Sequence, residues 1–396
     1  MLRTWKKGTW VLAAAALLST IALGAAACGG DDDNGSDNTP TAAASAANSA
    51  VAGSATQTGI AANIGKEDSA NLTGAGATFP APIYQAWFDD YNKDVAKNVK
   101  VNYQPVGSGG GIQQFTAGTV DFGASDVGMS DAQLQAAPDA QLLPTVLGAV
   151  VITYNVPELK SPLKLDGPAL ANIYLGNIKK WNDAAITALN SGVSLPDKEI
   201  QVAFRSDSSG TSGVFTDYLS KVSDEWKTKV GQATAPRWPV GQGGQGNDGV
   251  TNVVKQTPYA IGYVELTYAK TNKLAFADMK NKAGKFITPS VDATSAAAAS
   301  ASLPADYRLS ITNADGDAAY PISSFTYLIV PKSKGKCTQQ TPLVDMLWWA
   351  YHDKSAQSTI TELNYAPLPS NLLPKIETTL KSLKCDDGAK TSLKGS

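Results

Sequence analysis

Apolar residues recur along the chain at the spacing of alternating strands and helices. A short strand near Leu72 is followed by a glycine turn and by a helix with an apolar face over 81–91. The same order returns with a strand at 99–103, a glycine-rich turn, a short helix and a strand at 120–124. This repeated β-turn-α-β order predicts an α/β fold with a mostly parallel sheet covered by helices.

Two longer apolar runs, at 145–156 and 323–331, are hydrophobic at successive positions, which is typical of strands buried on both faces. Between them the pattern predicts further α/β units: helices at 170–183, 212–222 and 249–256, and strands at 200–205 and 260–266.

The two buried strands bracket this middle block, so we expect two lobes with two crossings of the chain between them. Residues 71–151 and 323–396 form the first lobe in this interpretation, and residues 152–322 form the second. A cleft between such lobes is a natural place for a ligand.

The N-terminus has the pattern of an export signal. Basic residues precede an apolar run at 10–23, and small residues then lead to Cys28. This resembles the bacterial lipoprotein signal, so we predict a signal peptide at 1–27 and a lipid on Cys28. Cleavage after Ala27 by ordinary signal peptidase, or retention as a membrane helix, are the alternatives. Each places the remainder outside the cytoplasm, and the polar segment 28–70 is predicted to be a disordered tether.

Composition narrows the range of possible functions further. The 396 residues carry a formal net charge of −2, without a basic block along the mature chain, which gives no electrostatic footprint for nucleic acid. His352 is the only histidine, and without a spaced cysteine and histidine set we predict neither a metal site nor a cofactor. An oxidising compartment favours a disulfide between Cys337 and Cys385, with two free thiols as the alternative.

The stretch FRSDSSGTSGVF, at 204–215, combines a positive charge with hydroxyls at the start of a predicted helix. Arg205 lies at the carboxyl end of its strand, where ligands bind in open α/β sheets. Asp207 is close enough in sequence to hold the guanidinium through a charged hydrogen bond. Hydroxyls and backbone N–H groups follow, at Ser209, Gly210 and Thr211. The stretch predicts an anion site, although simple helix capping and ion pairing would also account for it.

Two other predicted helix starts carry a hydroxyl after a strand. Thr78 and Phe79 precede one helix, and Ser108 lies in the glycine-rich turn before another. If the lobes close, all three helix starts would face one anion. Asp126, after the strand at 120–124, would repel a fully ionised oxyanion but would accept a hydrogen bond from one that still carries a proton. If Asp126 lies in the cleft, it selects a protonated oxyanion such as phosphate and rejects sulfate.

Several motifs occur in a recognisable order: TGAGATFPAP, VDFGASD, IYLGNIKKWND, SGTSGVFTDYL, GGQGNDGV and AIGYVE. From about residue 71 to the C-terminus the chain resembles the high-affinity phosphate-binding proteins of bacterial ABC-type phosphate transporters. The resemblance implies a two-lobed periplasmic-binding-protein fold that captures inorganic phosphate and delivers it to an ABC permease. Its phosphate contacts would fall on Thr78, Phe79, Ser108, Asp126, Arg205, Ser209, Gly210 and Thr211, with Asp207 orienting the arginine.

The chain departs from the family pattern beside the site. Gly109 stands where a second serine is common, and Ser208 replaces a frequent glycine, which bears on affinity and closure more than on ligand identity. We expect a monomer without enzymatic activity that meets the membrane only through its lipid. A receptor for another oxyanion or a phosphate sensor is the alternative. A phosphohydrolase is less favoured because metal ligands and a placed general base are missing.

Overall fold

The computed structural model describes residues 64–388. The predicted signal peptide, Cys28 and most of the predicted tether lie outside the described residues. The tether prediction was wrong at its C-terminal end, because Ile64 is buried in the core and the first strand begins at Ser69. The described residues belong to one compact unit, Thr56–Ser396.

The strands of the described region are β1 (Ser69–Gly76), β2 (Asn98–Gln104), β3 (Phe122–Ser125), β4 (Ala140–Tyr154), β5 (Lys164–Leu165), β6 (Gln201–Arg205), β7 (Gln242–Gly244), β8 (Ala260–Glu265), β9 (Ala275–Phe276), β10 (Asp278–Lys280), β11 (Phe286–Ile287) and β12 (Ser323–Pro331).

The helices are α1 (Ala81–Asp90), α2 (Ser108–Thr116), α3 (Asp131–Ala136), α4 (Gly167–Leu175), α5 (Ala184–Leu189), α6 (Gly210–Val222), α7 (Asp224–Lys229), α8 (Gly246–Gln256), α9 (Leu266–Thr271), α10 (Val291–Ala298), α11 (Cys337–His352), α12 (Lys354–Glu362) and α13 (Leu373–Ser382). Among the described residues, none of these helices is both long enough and apolar enough to cross a bilayer.

The main sheet has the strand order β2-β1-β3-β12-β4-β8-β6-β7, with β9 also paired to β4. Strands β1, β2 and β3 run parallel to one another, as do β6, β7 and β8. The two long central strands, β4 and β12, run antiparallel to their neighbours. The sheet is therefore mixed rather than mostly parallel as the sequence pattern indicated.

Strand β4 changes partner along its length. Its residues 140–149 pair with β12, and its residues 150–154 pair with β8. We call the strands on the β12 side the first half-sheet and those on the β8 side the second half-sheet. The change of partner falls at the predicted crossing near residue 151, although the division of the chain into two lobes stays a prediction.

One predicted helix was too long. The apolar pattern at 170–183 suggested a continuous helix, but α4 ends at Leu175. Gly176 adopts a left-handed conformation, with φ of 77°, and its N–H bonds back to the last turn. A glycine C-cap of this kind ends a helix whatever apolar residues follow it.

The predicted disulfide is not formed in the structure, where Cys337 and Cys385 are free thiols. Their sulfur atoms lie within 4.8 Å of each other, and a hydrogen bond with Cys385 raises the pKa of Cys337 to about 12. The pairing stays a prediction that concerns an oxidised form of the chain.

Candidate functional site

Arg205 is the last residue of β6 and is almost fully buried, with 2% of its surface exposed. Its Nε and Nη2 donate to the two carboxylate oxygens of Asp207, at 2.8 and 2.5 Å. Its Nη1 donates to Thr211 Oγ1 at 3.2 Å. The two-pronged contact with Asp207 fixes the plane of the guanidinium, because a fork of N–H groups matches a carboxylate.

Asp207 is the orienting acid that the sequence predicts. Its Oδ1 also accepts from the backbone N–H of Gly246, at 3.0 Å, at the start of α8. Burial alone would raise the pKa of Asp207, but the Arg205 guanidinium and the Gly246 N–H hold that pKa below its ordinary value. Asp207 is therefore ionised at neutral pH and keeps the guanidinium in place.

Helix α6 begins directly beside this pair. Ser209 is its N-cap, and the Ser209 hydroxyl accepts from the N–H of Ser212 at 3.2 Å. Gly210 and Thr211 form the first turn and are buried. The first turn of an α-helix presents N–H groups without intrahelical partners, which favours an anion in front of it.

The first half-sheet contributes two further turns. Thr78 and Phe79 lie between β1 and α1, and both residues are buried. Their carbonyls accept from tyrosine hydroxyls, Thr78 from Tyr268 at 2.6 Å and Phe79 from Tyr365 at 2.7 Å. Ser108 is the first residue of α2 and is fully buried. The tyrosine contacts fix the backbone of the Thr78 turn at both residues.

A direct contact joins the two half-sheets at the site. Ser108 Oγ accepts from the backbone N–H of Gly210 at 3.0 Å and from that of Asp126 at 3.2 Å. Gly210 approaches so closely that a Cβ there would lie 2.3 Å from Ser108 Oγ and 2.7 Å from Asp126 Oδ2. Only glycine fits this position, and it brings the start of α6 against Ser108 and Asp126.

A second contact between the half-sheets lies one turn further. The N–H of Gly109 donates to the carbonyl of Ser208 at 2.9 Å. A Cβ on Gly109 would lie 2.1 Å from Ser208 Oγ and 2.5 Å from Ser208 Cβ. The two departures from the family pattern therefore face each other, and the side chain of Ser208 occupies the space that a serine at 109 would need.

Asp126 is buried, with 1% of its surface exposed. Its Oδ1 accepts from Thr326 Oγ1 at 3.0 Å, whereas Oδ2 has no hydrogen-bond partner among the described residues. Burial raises the pKa of Asp126 to about 7, and the Thr326 hydroxyl, the Arg205 charge and the Ser108 hydroxyl oppose that rise. Asp126 thus presents one buried oxygen that can still take part in a hydrogen bond.

The raised pKa of Asp126 predicts a pH-dependent stability. The Asp126 carboxyl has a pKa of about 7 in the folded protein and an ordinary value of 3.8, so it binds its proton more tightly when the protein is folded. Its contribution to the free energy of unfolding is therefore present at low pH and is lost between about pH 4 and 7. In phosphate-free buffer, we expect the free energy of unfolding to fall over this range by up to about 4 kcal/mol more in the natural protein than in Asp126→Asn. Urea titrations at pH 4.5 and 7.5 measure this difference. Burial, the main cause of the raised pKa of Glu265, is the same in both proteins, and only the smaller effect of the Asp126 charge on that pKa is absent from the variant. An equal loss in the two proteins would contradict the prediction.

Asn247, in the first turn of α8, belongs to the same cluster and was not singled out from sequence. Its Nδ2 donates to Thr78 Oγ1 at 2.8 Å and to Thr211 Oγ1 at 3.4 Å. Its backbone N–H also donates to Thr78 Oγ1, at 3.3 Å. An asparagine in a glycine-rich stretch is ordinary loop sequence. The one sequence feature that could have drawn attention to Asn247 is its place in the GGQGNDGV motif.

A cavity of about 480 Å³ borders Asp126. It is lined on one side by the loop that runs from Val127 to Ser130, and on the other by Gly213, Val214 and Asp217 of α6. Arg308 also lines it and reaches across to Asp131 at 2.6 Å. The turn that carries Asp126 therefore forms part of the wall of a cavity between the loop after β3 and helix α6.

Comparison with known proteins bears on this arrangement. A family model described as the PBP superfamily domain matches residues 39–345. The phosphate-binding protein PstS of Pasteurella multocida is 46% identical over 321 residues, covering 80% of this chain and 92% of that protein. PstS of Haemophilus influenzae is 44% identical over 315 residues, covering 79% and 93%. The chain belongs to the phosphate-binding protein family.

The fold agrees with that membership. The crystal structure of an ABC-type phosphate transport receptor from Vibrio cholerae superposes with a TM-score of 0.51 at 18% identity, covering 75% of this chain and 100% of that one. The family and the periplasmic-binding-protein fold predicted from sequence are confirmed.

The described geometry brings the predicted residues together in one region. Hydrogen bonds connect Thr78 to Thr211 through Asn247, Thr211 to Arg205, and Gly210 to Asp126 through Ser108. Their role as phosphate contacts stays a prediction.

Proposed function

We propose that this chain is an extracytoplasmic binding protein that captures inorganic phosphate between its two half-sheets and delivers it to an ABC-type permease. The observation that carries the proposal is Oδ2 of buried Asp126, which has no hydrogen-bond partner among the described residues, lies against the first residue of α6 and interacts electrostatically with buried Arg205. Membership in the phosphate-binding protein family supports the same ligand.

The donors around this oxygen suit a small oxyanion. Arg205 supplies a fixed positive charge, and the first turn of helix α6 supplies the backbone N–H of Thr211, since the N–H groups of Gly210 and Ser212 already donate to Ser108 and Ser209. Both favour negative charge, since a helix N-terminus carries a partial positive charge. These groups alone would accept sulfate as readily as phosphate.

Asp126 supplies the discrimination. Bound phosphate and the Asp126 carboxyl share at least one proton at neutral pH, so an O–H···O bond can form between them. Sulfate carries no proton, and at pH 8, where Asp126 is ionised, it would place two like charges together in a buried site. Charged hydrogen bonds contribute about 1.5–3 kcal/mol, and an unpaired buried charge costs at least as much.

Titration calorimetry with phosphate and sulfate tests the proposal. At pH 8 we expect phosphate to bind the ligand-stripped protein and sulfate at the same concentration to compete poorly. In Asp126→Asn the amide oxygen still accepts from phosphate while the amide N–H can donate to sulfate. Phosphate binding should therefore weaken by only about tenfold, and sulfate should compete measurably better. Folded protein that releases no heat with phosphate, or that binds sulfate equally well, contradicts the proposal.

Binding without turnover is the expected activity. His352 contacts the Trp348 carbonyl and Glu377 rather than any of the site hydroxyls. The one group of described residues that could hold a metal ion consists of Cys337, Cys385 and Asp387, which includes none of the proposed phosphate contacts. A phosphate ester would therefore meet positioning groups without an activated water.

Attachment to the membrane through a lipid on Cys28 belongs to the proposal as well. Cys28 lies outside the described residues, so its support is the lipoprotein-like sequence before it. The disulfide between Cys337 and Cys385 would join the start of α11 to the C-terminal segment, and its support is the short distance between the two sulfur atoms. We propose a monomer, in line with a site built from a single chain.

A further inference from the structure

The hydroxyls of Thr78 and Thr211 share an unusual constraint. Thr78 Oγ1 accepts from the backbone N–H of Asn247 and from its Nδ2. Thr211 Oγ1 accepts from Arg205 Nη1 and from Asn247 Nδ2. A hydroxyl has two lone pairs and one O–H. With both lone pairs occupied by N–H donors, each threonine retains only its O–H for a further hydrogen bond.

The orientation of the Asn247 side-chain amide is fixed by a backbone contact on the side of its oxygen. Its Oδ1 accepts from the backbone N–H of Glu265 at 3.0 Å. Because that group can only donate, it must face the amide oxygen, and Nδ2 is then directed to the hydroxyls. The Glu265 side chain in turn accepts from the N–H of Thr267 at 2.8 Å, which holds the peptide at the start of α9.

Asn247 also spans the two half-sheets. It is fully buried in the first turn of α8, which packs on β7 and β8 of the second half-sheet. Thr78 belongs to the turn after β1 of the first half-sheet. The contact with Thr78 therefore depends on the two half-sheets being together, whereas the contact with Thr211 stays within the second.

We propose that Asn247 is a positioning residue that turns the hydroxyl hydrogens of Thr78 and Thr211 toward the bound anion. This rests on the proposed function. Asn247 occupies a lone pair on each hydroxyl, so each hydroxyl can only donate its remaining O–H. Both O–H groups are therefore oriented toward the anion position before the ligand enters. The O–H of Thr78 is oriented in this way only when the half-sheets are closed and Asn247 contacts Thr78. Closure is thereby coupled to tighter anion binding.

An isosteric change of Asn247 gives the sharpest test. In Asn247→Asp a carboxylate replaces the donor, accepts from both hydroxyls and draws their hydrogens away from the ligand. We expect phosphate affinity at pH 8 to fall by more than about 100-fold, and part of this loss to recover at pH 5.5, where a protonated carboxyl can donate again. The titratable groups near it are Arg205, Asp207, Glu265, Tyr268 and Asp126. Asp126 itself titrates near pH 7, and all of these groups are present in both proteins, so the recovery is measured as the affinity of Asn247→Asp relative to the natural protein at each pH.

Two further variants make the result interpretable. Asn252→Asp places the same charge change on an exposed position of α8 and should bind within about twofold of the natural protein. Asn247→Ala frees the hydroxyls without reversing them, so we expect a loss of about tenfold with no recovery at low pH. Thermal unfolding without phosphate establishes that each variant is folded.

The outcomes separate the two proposals. If the natural protein does not bind phosphate, the proposed function is wrong and this inference falls with it. If the natural protein binds but Asn247→Asp and Asn247→Ala bind equally well, the inference alone is overturned. An Asn247→Asp loss that is the same at both pH values would also overturn it, because a merely structural role predicts no recovery.

Discussion

Replacement of Arg205 by glutamine is expected to weaken phosphate binding by at least about 100-fold. The guanidinium is buried and holds three hydrogen bonds, two to Asp207 and one to Thr211. Removing one partner of a buried ion pair costs about 3–5 kcal/mol, because the remaining charge stays uncompensated. Here Asp207 loses its partner and the bound anion loses its fixed charge.

Titration calorimetry with phosphate measures the loss, and Arg237→Gln is the matched control. Arg237 is exposed, so the same substitution there should leave affinity within about twofold. Arg205→Lys keeps the charge but cannot form the fork to Asp207, and we expect it to recover only part of the binding. Near-natural affinity in folded Arg205→Gln would show that the anion does not bind where we propose.

Gly109→Ser is expected to produce the second large effect. The new Cβ would lie 2.5 Å from Ser208 Cβ, a contact that rotation of the Ser208 hydroxyl cannot relieve. The backbone bond from Gly109 to the Ser208 carbonyl would be strained as the half-sheets approach. Overpacking of this kind costs about 1–3 kcal/mol, so phosphate affinity should fall by about 5- to 150-fold.

The complementary change provides the decisive comparison. Ser208→Gly removes the obstructing side chain, so the double variant Gly109→Ser, Ser208→Gly should regain most of the affinity. Residues in direct contact show such coupling in double-mutant cycles. Gly110→Ser is the control on the same helix, because its Cβ would approach the exposed side chain of Val106, at 2.9 Å from Cγ2, and not Ser208. If the two single changes add in the double variant, the contact between these residues does not govern closure.

Much of the site could be predicted because it depends on local sequence. Each proposed contact lies at the end of a strand or in the segment that follows it, and the start of a helix presents backbone N–H groups whatever the tertiary contacts are. Arg205 and Asp207 are two residues apart, so their pairing required no tertiary information. The same local logic placed Ser209, Gly210 and Thr211 at the start of a helix, and Ser209 is the N-cap of α6.

Features that depend on contacts distant in sequence were missed. Asn247 acts through Thr78, and these residues meet only because two half-sheets close. Glu265 ends a strand of ordinary apolar appearance, yet it is fully buried and its backbone orients Asn247. The end of α4 was missed for a different reason: the apolar repeat continues past Gly176, and one left-handed residue overrides it.

The shared strand β4 has a consequence for how the molecule folds. Its first ten positions complete one half-sheet and its last five complete the other, and the partner β12 arrives only after the whole intervening segment has been made. Neither half-sheet can bury its central strand alone. Unfolding of one half-sheet should therefore unfold the other as well, in a single cooperative transition. Pairing of β12 with β4 also closes a very long loop, which slows folding to the native state. Until β12 has been synthesised, the apolar edge of β4 is unpaired and exposed in the nascent chain.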